Sequence, residues 1–213
     1  MYEQIRADIM NGMLPAESKL KTRNLAERFD VGLSPIREAL SRLSSEGWVV
    51  QSDRRGFSVV SASVEELWDL HRARCMLNEA GLRESIEYGD AEWEENVLLS
   101  CIRISRLQRP ADLQITAEAE HWNKLHRAFH SSLVSACRSK RLVEYCEKLF
   151  DEIERYRRIG LTLGKARSNV ADEHRAIADA AVARDPELAI SLLNKHFTTT
   201  VEQVDQAIQK SDI

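Results

Sequence analysis

Val31-Gly32-Leu33-Ser34-Pro35-Ile36-Arg37-Glu38-Ala39-Leu40-Ser41-Arg42-Leu43 is the stretch on which the reading of this chain turns. Ser34 suits an N-cap, and Pro35 suits the first helical position because an N–H there would have no intrahelical partner. Ile36, Ala39, Leu40 and Leu43 then recur at i, i+3, i+4 and i+7, one apolar stripe on one helix. Upstream, Leu25, Ala26 and Phe29 predict a short helix ending near Asp30-Val31-Gly32. Ile5, Ile9 and Met10 predict an earlier helix stopped by Asn11-Gly12, with Leu14-Pro15-Ala16 as a loop. Downstream, the helix ends near Gly47. Two β-type runs, Trp48-Val49-Val50 and Phe57-Ser58-Val59-Val60, flank a polar tip, Gln51-Ser52-Asp53-Arg54-Arg55-Gly56. Helix, short helix, turn, helix, β-hairpin is the order of a winged helix–turn–helix.

Beyond a junction at Ser61-Ala62 the pattern changes. Ser63-Val64-Glu65-Glu66 is a capping box, serine at the cap and glutamate at N3. Nearly everything after it reads as helix, at roughly 64–88, 91–107, 114–137, 140–160, 169–183 and 186–209. Asp90 and Asp185 are good caps, the latter followed by Pro186, while Arg109-Pro110 and Gly160 to Gly164 read as breaks. The fold class expected is therefore mostly α: a winged helix–turn–helix over residues 1–62 and an antiparallel all-α bundle of about six helices over 63–213. The chain starts close to its first helix, a position compatible with a natural extension ahead of Met1.

Composition narrows the function. The 213 residues are 43% hydrophobic and 30% charged with 8 Gly and 4 Pro, which excludes collagen-like and Pro/Gly-rich disordered classes. No run approaches the ~20 apolar residues of a membrane span. Met1-Tyr2-Glu3-Gln4 opens no apolar leader, so a cytoplasmic protein is expected. Cys75, Cys101, Cys137 and Cys146 lie far apart and read as buried reduced thiols. Net charge is −4, but residues 1–60 hold 9 basic against 8 acidic residues, the remainder 21 against 26. So small an asymmetry decides nothing, and the placement of individual arginines carries the argument.

In a helix–turn–helix the second helix enters the major groove of DNA with its N-terminal residues on base edges. Arg37 sits one turn into that helix, where its fork suits a guanine O6/N7 pair. Arg23 opens the preceding helix and can reach a base or phosphate, and Ser34 can meet a phosphate while it caps. Arg54 and Arg55 suit phosphates or the minor groove, and Gly56 lets the wing backbone approach closely. One recognition helix reads few base pairs, so a homodimer on double-stranded operator DNA is expected.

The helical part carries a second pattern. His126 and His130 are i, i+4 on one helix face. His174 and His196 lie equidistant from Asp185, so in an antiparallel pair they face each other at one level. Together the four could form an all-nitrogen site in a bundle core. Imidazole suits Zn, Ni, Cu or Fe; one divalent ion, Zn or Ni, is expected.

Leu25-Ala26-Glu27, Val31 to Leu40, Leu43 and Glu46-Gly47-Trp48-Val49 together resemble the GntR family signature, L-A-x-x-x-x-V-S-R-T-P-V-R-E-A-L-x-x-L-x-x-x-G-L-V. The resemblance implies DNA contacts at Arg23, Leu33, Ser34, Arg37 and Gly56. Leu33 stands where the family usually has an arginine, so base preference there should differ. Residues after 63 resemble the FCD effector domain of the FadR subfamily, on Ala128-Phe129-His130, on Glu173-His174-Arg175-Ala176-Ile177, and on His196. That likeness implies His126, His130, His174 and His196 as metal ligands, with His126 in place of the usual Asp. It also implies an effector-facing Arg74, with Asn78 in place of the usual Glu. Arg72-Ala73-Arg74-Cys75 and Leu77-Asn78-Glu79 further resemble carbon-starvation-induced regulators that respond to glutarate-type acids. The function implied is a ligand-responsive transcriptional regulator, a repressor, whose helical domain binds a small carboxylate beside the metal. Two other readings use the same residues: a DNA-binding dimer without effector, or a helical metalloenzyme. The latter is disfavoured because Arg127 stands where a His-Glu-x-x-His protease has its glutamate base.

Overall fold

A computed structural model describes residues 1–10, 12–45, 48–52, 56–60, 63–107, 117–163 and 169–211. The contacts divide into two units, Met1–Ser63 and Val64–Ile213.

In the first unit, α1 (Tyr2–Met10), α2 (Thr22–Phe29) and α3 (Leu33–Ser45) pack beside a three-stranded antiparallel sheet. Strands β1 (Lys19–Leu20), β2 (Val49–Ser52) and β3 (Gly56–Val59) are ordered β1-β3-β2, with Val49 opposite Val59 and Lys19 opposite Ser58. Strand β1 escapes sequence reading because two residues carry no alternation, yet Leu20 is buried. The stripe Ile36, Ala39, Leu40 and Leu43 is wholly buried against Ile5, Ile9, Leu25 and Trp48. Helix α3 begins at Leu33, one residue before the expected cap, so Ser34 lies inside the first turn. Pro35 tolerates this, since N–H groups throughout the first turn have no intrahelical partner. Asp30 closes α2 in the left-handed conformation (φ 52°), its N–H donating to the Ala26 and Glu27 carbonyls.

The second unit comprises α4 (Val64–Tyr88), α5 (Ala91–Ser105), α6 (Ala117–Leu133), α7 (Lys140–Leu163), α8 (Val170–Val182) and α9 (Pro186–Ser211). Helix α4 packs on α7 and α9, α5 on α6 and α8, and α8 on α9. Two caps act as the sequence predicts: Asp90 accepts from the Trp93 N–H at 3.0 Å, and Asp185 from the Leu188 N–H at 3.0 Å. Helix α6 stops at Leu133, four residues short of expectation. There the Ser132 and Ser135 hydroxyls donate to the carbonyls of Phe129 and Ser132, competing with helix continuation. Helix α7 runs through Gly160 to Leu163, because one glycine weakens a helix by only about 1 kcal/mol. The expected features at Gly47, Asp53, Ser61-Ala62, Arg109-Pro110 and Gly164 lie outside the described residues. The four cysteines are free thiols, three of them buried and Cys75 half-buried.

Candidate functional site

The first unit presents an exposed surface built from side chains its core does not use. Burying one stripe of α3 turns Leu33, Ser34 and Arg37 outward, and Arg23 is exposed at the start of α2. Other arginines of the unit are tied down: Arg28 pairs with Asp8 at 2.9 Å, Arg42 lies 3.9 Å from the Tyr2 ring centre, and Arg6 5.2 Å from that of Trp48. Leu33 is 48% exposed, an apolar group in the first turn of α3. Gly56 opens β3 with φ 79°, and a Cβ there would touch nothing within 4 Å. Its glycine answers the backbone conformation that few other residues tolerate. Arg54 and Arg55 lie outside the described residues.

In the second unit, His126 and His130 come from α6, His174 from α8 and His196 from α9, and all four are buried. One ligand nitrogen from each lies within 4.8 Å of the other three. His126 Nε2 and His130 Nε2 are 3.1 Å apart, and the His174 and His196 ring centres 4.8 Å. Four nitrogens at about 2.0–2.1 Å from one tetrahedral ion would be about 3.3 Å apart, so a small closure brings these donors to ligand distance. The Nδ1 atoms of His126 and His130 are also buried without a hydrogen-bond partner. Rings so poorly matched by protein suit an ion, and the donor set suits zinc or nickel. Burial first, and then the surrounding positive and imidazole groups, hold His126 and His130 well below their ordinary pKa of 6.5. Both rings are therefore neutral at neutral pH, the form that ligates metal. Glu173 adds support: its Oε2 is 2.7 Å from His196 Nδ1, and its Oε1 accepts from Asn169 Nδ2 at 2.9 Å.

Beside the cluster lies a narrow cleft whose lining includes His126, His196, Arg74, Glu154 and Arg157. The core-facing stripe of α4 is partly polar, with Leu67, His71, Arg74, Asn78 and Leu82 all buried. The Arg74 guanidinium lies 3.7 Å from the Phe197 ring centre and 5.3 Å from that of Phe150, with Nε buried and unpartnered. Burial lowers its pKa to about 10, which leaves it cationic at neutral pH. Asn78 lines a neighbouring small cleft with Arg74 and His130, and its Nδ2 donates to the Arg74 carbonyl at 3.0 Å. Sequence reasoning missed Glu173, Glu154, Arg157 and Asn123. The Glu154/Arg157 spacing of i, i+3 and the place of Glu173 next to His174 were the available signals. His71 stands apart from the cluster, beside the Thr198 hydroxyl at 3.2 Å.

A winged helix–turn–helix joined in one chain to a six-helix unit is the build of a DNA-binding transcriptional regulator, and the comparisons agree. Residues 1–59 match the family described as "Bacterial regulatory proteins, gntR family" and residues 69–199 match the FCD domain, so the chain belongs to the GntR family, in its FCD-containing branch. It is 36% identical over 205 residues to BphR of Paraburkholderia xenovorans (strain LB400), an uncharacterized HTH-type transcriptional regulator, covering 96% of this chain and 84% of that protein. It is 32% identical over 211 residues to the HTH-type transcriptional repressor GlaR of Escherichia coli (strain K12), covering 97% and 95%. The crystal structure of a GntR family member from Pseudomonas syringae pv. tomato str. DC3000 superposes with a TM-score of 0.58 at 27% identity, covering 99% of this chain and 85% of that one. The chain is a transcriptional regulator and not an enzyme. No helix among the described residues is long and apolar enough to cross a membrane.

Proposed function

We propose that this regulator is a cytoplasmic homodimeric repressor in which residues 1–62 bind operator DNA and residues 63–213 bind a divalent ion and a small carboxylate. The convergence of four buried imidazoles from three helices carries the reading, because one nitrogen from each lies within 4.8 Å of the others, as donors to a single ion would. His126, His130, His174 and His196 would hold the ion, which supplies a Lewis-acidic position for an oxygen ligand. Arg74, cationic and buried with a donor to spare, holds the carboxylate end of the effector. A dicarboxylate of about five carbons would span the ion and Arg74. Glutarate or 2-hydroxyglutarate leads that class, in keeping with the resemblance to regulators of glutarate-type acids.

On the DNA side, Arg37 takes a guanine, Arg23 and Ser34 take the backbone, Leu33 makes apolar contact, and Arg54, Arg55 and Gly56 form the wing contact. Asn78 tunes the polarity of the pocket beside Arg74. Effector and operator are coupled by linkage: an acid that prefers one dimer geometry shifts DNA affinity by no more than its differential binding energy.

Elemental analysis tests the reading. Protein purified without chelator and without a nickel column should carry about one equivalent of zinc or nickel, and His130→Ala or His174→Ala should lose it. Under about 0.2 equivalents in the wild type contradicts it.

A further inference from the structure

The cleft beside the histidines holds a charged pair for which the reading above has no use. Arg157 is 4% exposed and Glu154 7%, both on α7. The pair is bidentate: Arg157 Nε donates to Glu154 Oε2 at 2.6 Å and Nη2 to Oε1 at 2.5 Å. Nη2 also donates to Asn123 Oδ1 at 2.5 Å. Nη1 is buried without a hydrogen-bond partner, and the guanidinium lies 5.1 Å from the Trp122 ring centre, on which the His126 ring stacks at 4.6 Å.

A buried ion pair is a poor stabiliser compared with apolar packing, and one with an unmatched donor is poorer still. Here the pair sits on the wall of a cleft, and a ligand atom is the natural partner for the spare N–H. Charge sharpens this. Arg74, Arg157 and Glu154 together leave the lining with one net positive charge, and a divalent ion raises that to three. A monoanion neutralises little of it, whereas a dianion with groups at both ends matches the two arginines and the ion at once.

We propose that Arg157 is a second anion-recognition residue of the effector cleft, and that the effector is a dianion: one end is held at the metal and Arg74, the other at Arg157. This rests on the reading that the cluster holds an ion and the cleft a carboxylate. Glu154 is the resident competitor. It occupies Nε and Nη2 of Arg157 in the free protein and leaves Nη1 for the ligand, so the affinity of the far pole is set by how tightly Glu154 keeps the guanidinium.

The test is calorimetric titration of the zinc-loaded full chain with two matched series: succinate, glutarate and adipate against butyrate, pentanoate and hexanoate. The wild type should prefer its best dianion over the monoanion of equal length by about tenfold or more. In Arg157→Gln that preference should fall below about threefold with zinc content unchanged. In Glu154→Gln, which keeps the shape of the pair but frees the guanidinium charge, dianion affinity should rise severalfold. A pair that is only structural predicts the opposite sign for Glu154→Gln, a loss in both variants. Equal affinity for dianion and monoanion in the wild type overturns the dianion and the role of Arg157 together, whereas a preference undiminished in zinc-loaded Arg157→Gln overturns the role of Arg157 alone. If Arg157→Gln fails to fold, Glu154→Gln decides: stronger dianion binding supports the proposal, and unchanged or weaker binding overturns it. Zinc-loaded wild type that binds no acid of either series overturns the carboxylate reading as well.

Discussion

Glu173→Gln is the substitution whose effect follows most directly from the geometry. Glu173 Oε2 stands 2.7 Å from His196 Nδ1, a length typical of a charge-assisted bond, and it fixes that ring with its other nitrogen available to the cluster. A neutral amide keeps the shape but roughly halves the bond, and the net worth of a bond to a charged group is about 1.5–3 kcal/mol. The Glu173 side chain is 23% exposed, so solvent screening pulls the loss toward the lower end. About 1–1.5 kcal/mol remains, roughly a tenfold loss of metal affinity. Glu173→Ala, which removes the acceptor altogether, should approach a loss of about a hundredfold. Competition for zinc against a chromophoric chelator at neutral pH reads both, and thermal melts with and without zinc read the same loss as a smaller metal-induced shift. Zinc affinity within about twofold of wild type in both variants would refute the placement of His196 as a ligand oriented by Glu173.

Arg37→Ala should cost about 1–3 kcal/mol of operator affinity and relax base preference at one position, as read by binding-site selection; an unchanged preferred site would show the docking to be wrong. Leu33→Arg, on an exposed first turn of α3, should create a guanine requirement at a position where the wild type has none, in the same selection. The metal-free protein should lose stability as pH falls. His126 and His130 stay neutral in the folded state well below their ordinary pKa of 6.5, while the unfolded chain takes up protons from about 6.5 downward. Below that value each ring contributes a slope of up to about 1.4 kcal/mol per pH unit, and above it none, so stability is full above about 6.5 and is lost as pH falls. Denaturant titrations of chelator-treated protein between about pH 6.5 and 5, compared with a His126→Phe/His130→Phe double variant, should show the variant with the shallower slope by about two protons. Parallel slopes would contradict the burial argument.

The reading head was largely legible because local rules govern it. The stripe Ile36/Ala39/Leu40/Leu43 fixes which face of α3 is buried, and hence that Arg37 points outward. The two-residue strand β1 was not legible, since it exists only through pairing with β3. The histidines could be brought together on paper because i, i+4 spacing and equal distances from the Asp185 turn are periodic facts. Glu154, Arg157 and Asn123 could not, because nothing local joins Asn123 on α6 to Arg157 on α7. Their meeting depends on how two helices of different length pack, and helix ends are where reading from sequence is weakest: α6 stopped early and α7 ran on.

The central claim is that the helical domain couples a metal-held small acid to DNA affinity. The direct measurement is fluorescence anisotropy of zinc-loaded full chain on an operator obtained by selection from random DNA, titrated with glutarate in the presence and absence of a chelator. The account predicts that glutarate weakens operator binding by about fivefold or more when zinc is present, a coupling of about 1 kcal/mol or more, and has no effect once zinc is removed. Operator affinity unchanged by glutarate, 2-hydroxyglutarate and the other C3 to C6 acids up to millimolar concentration, with zinc bound, would contradict it.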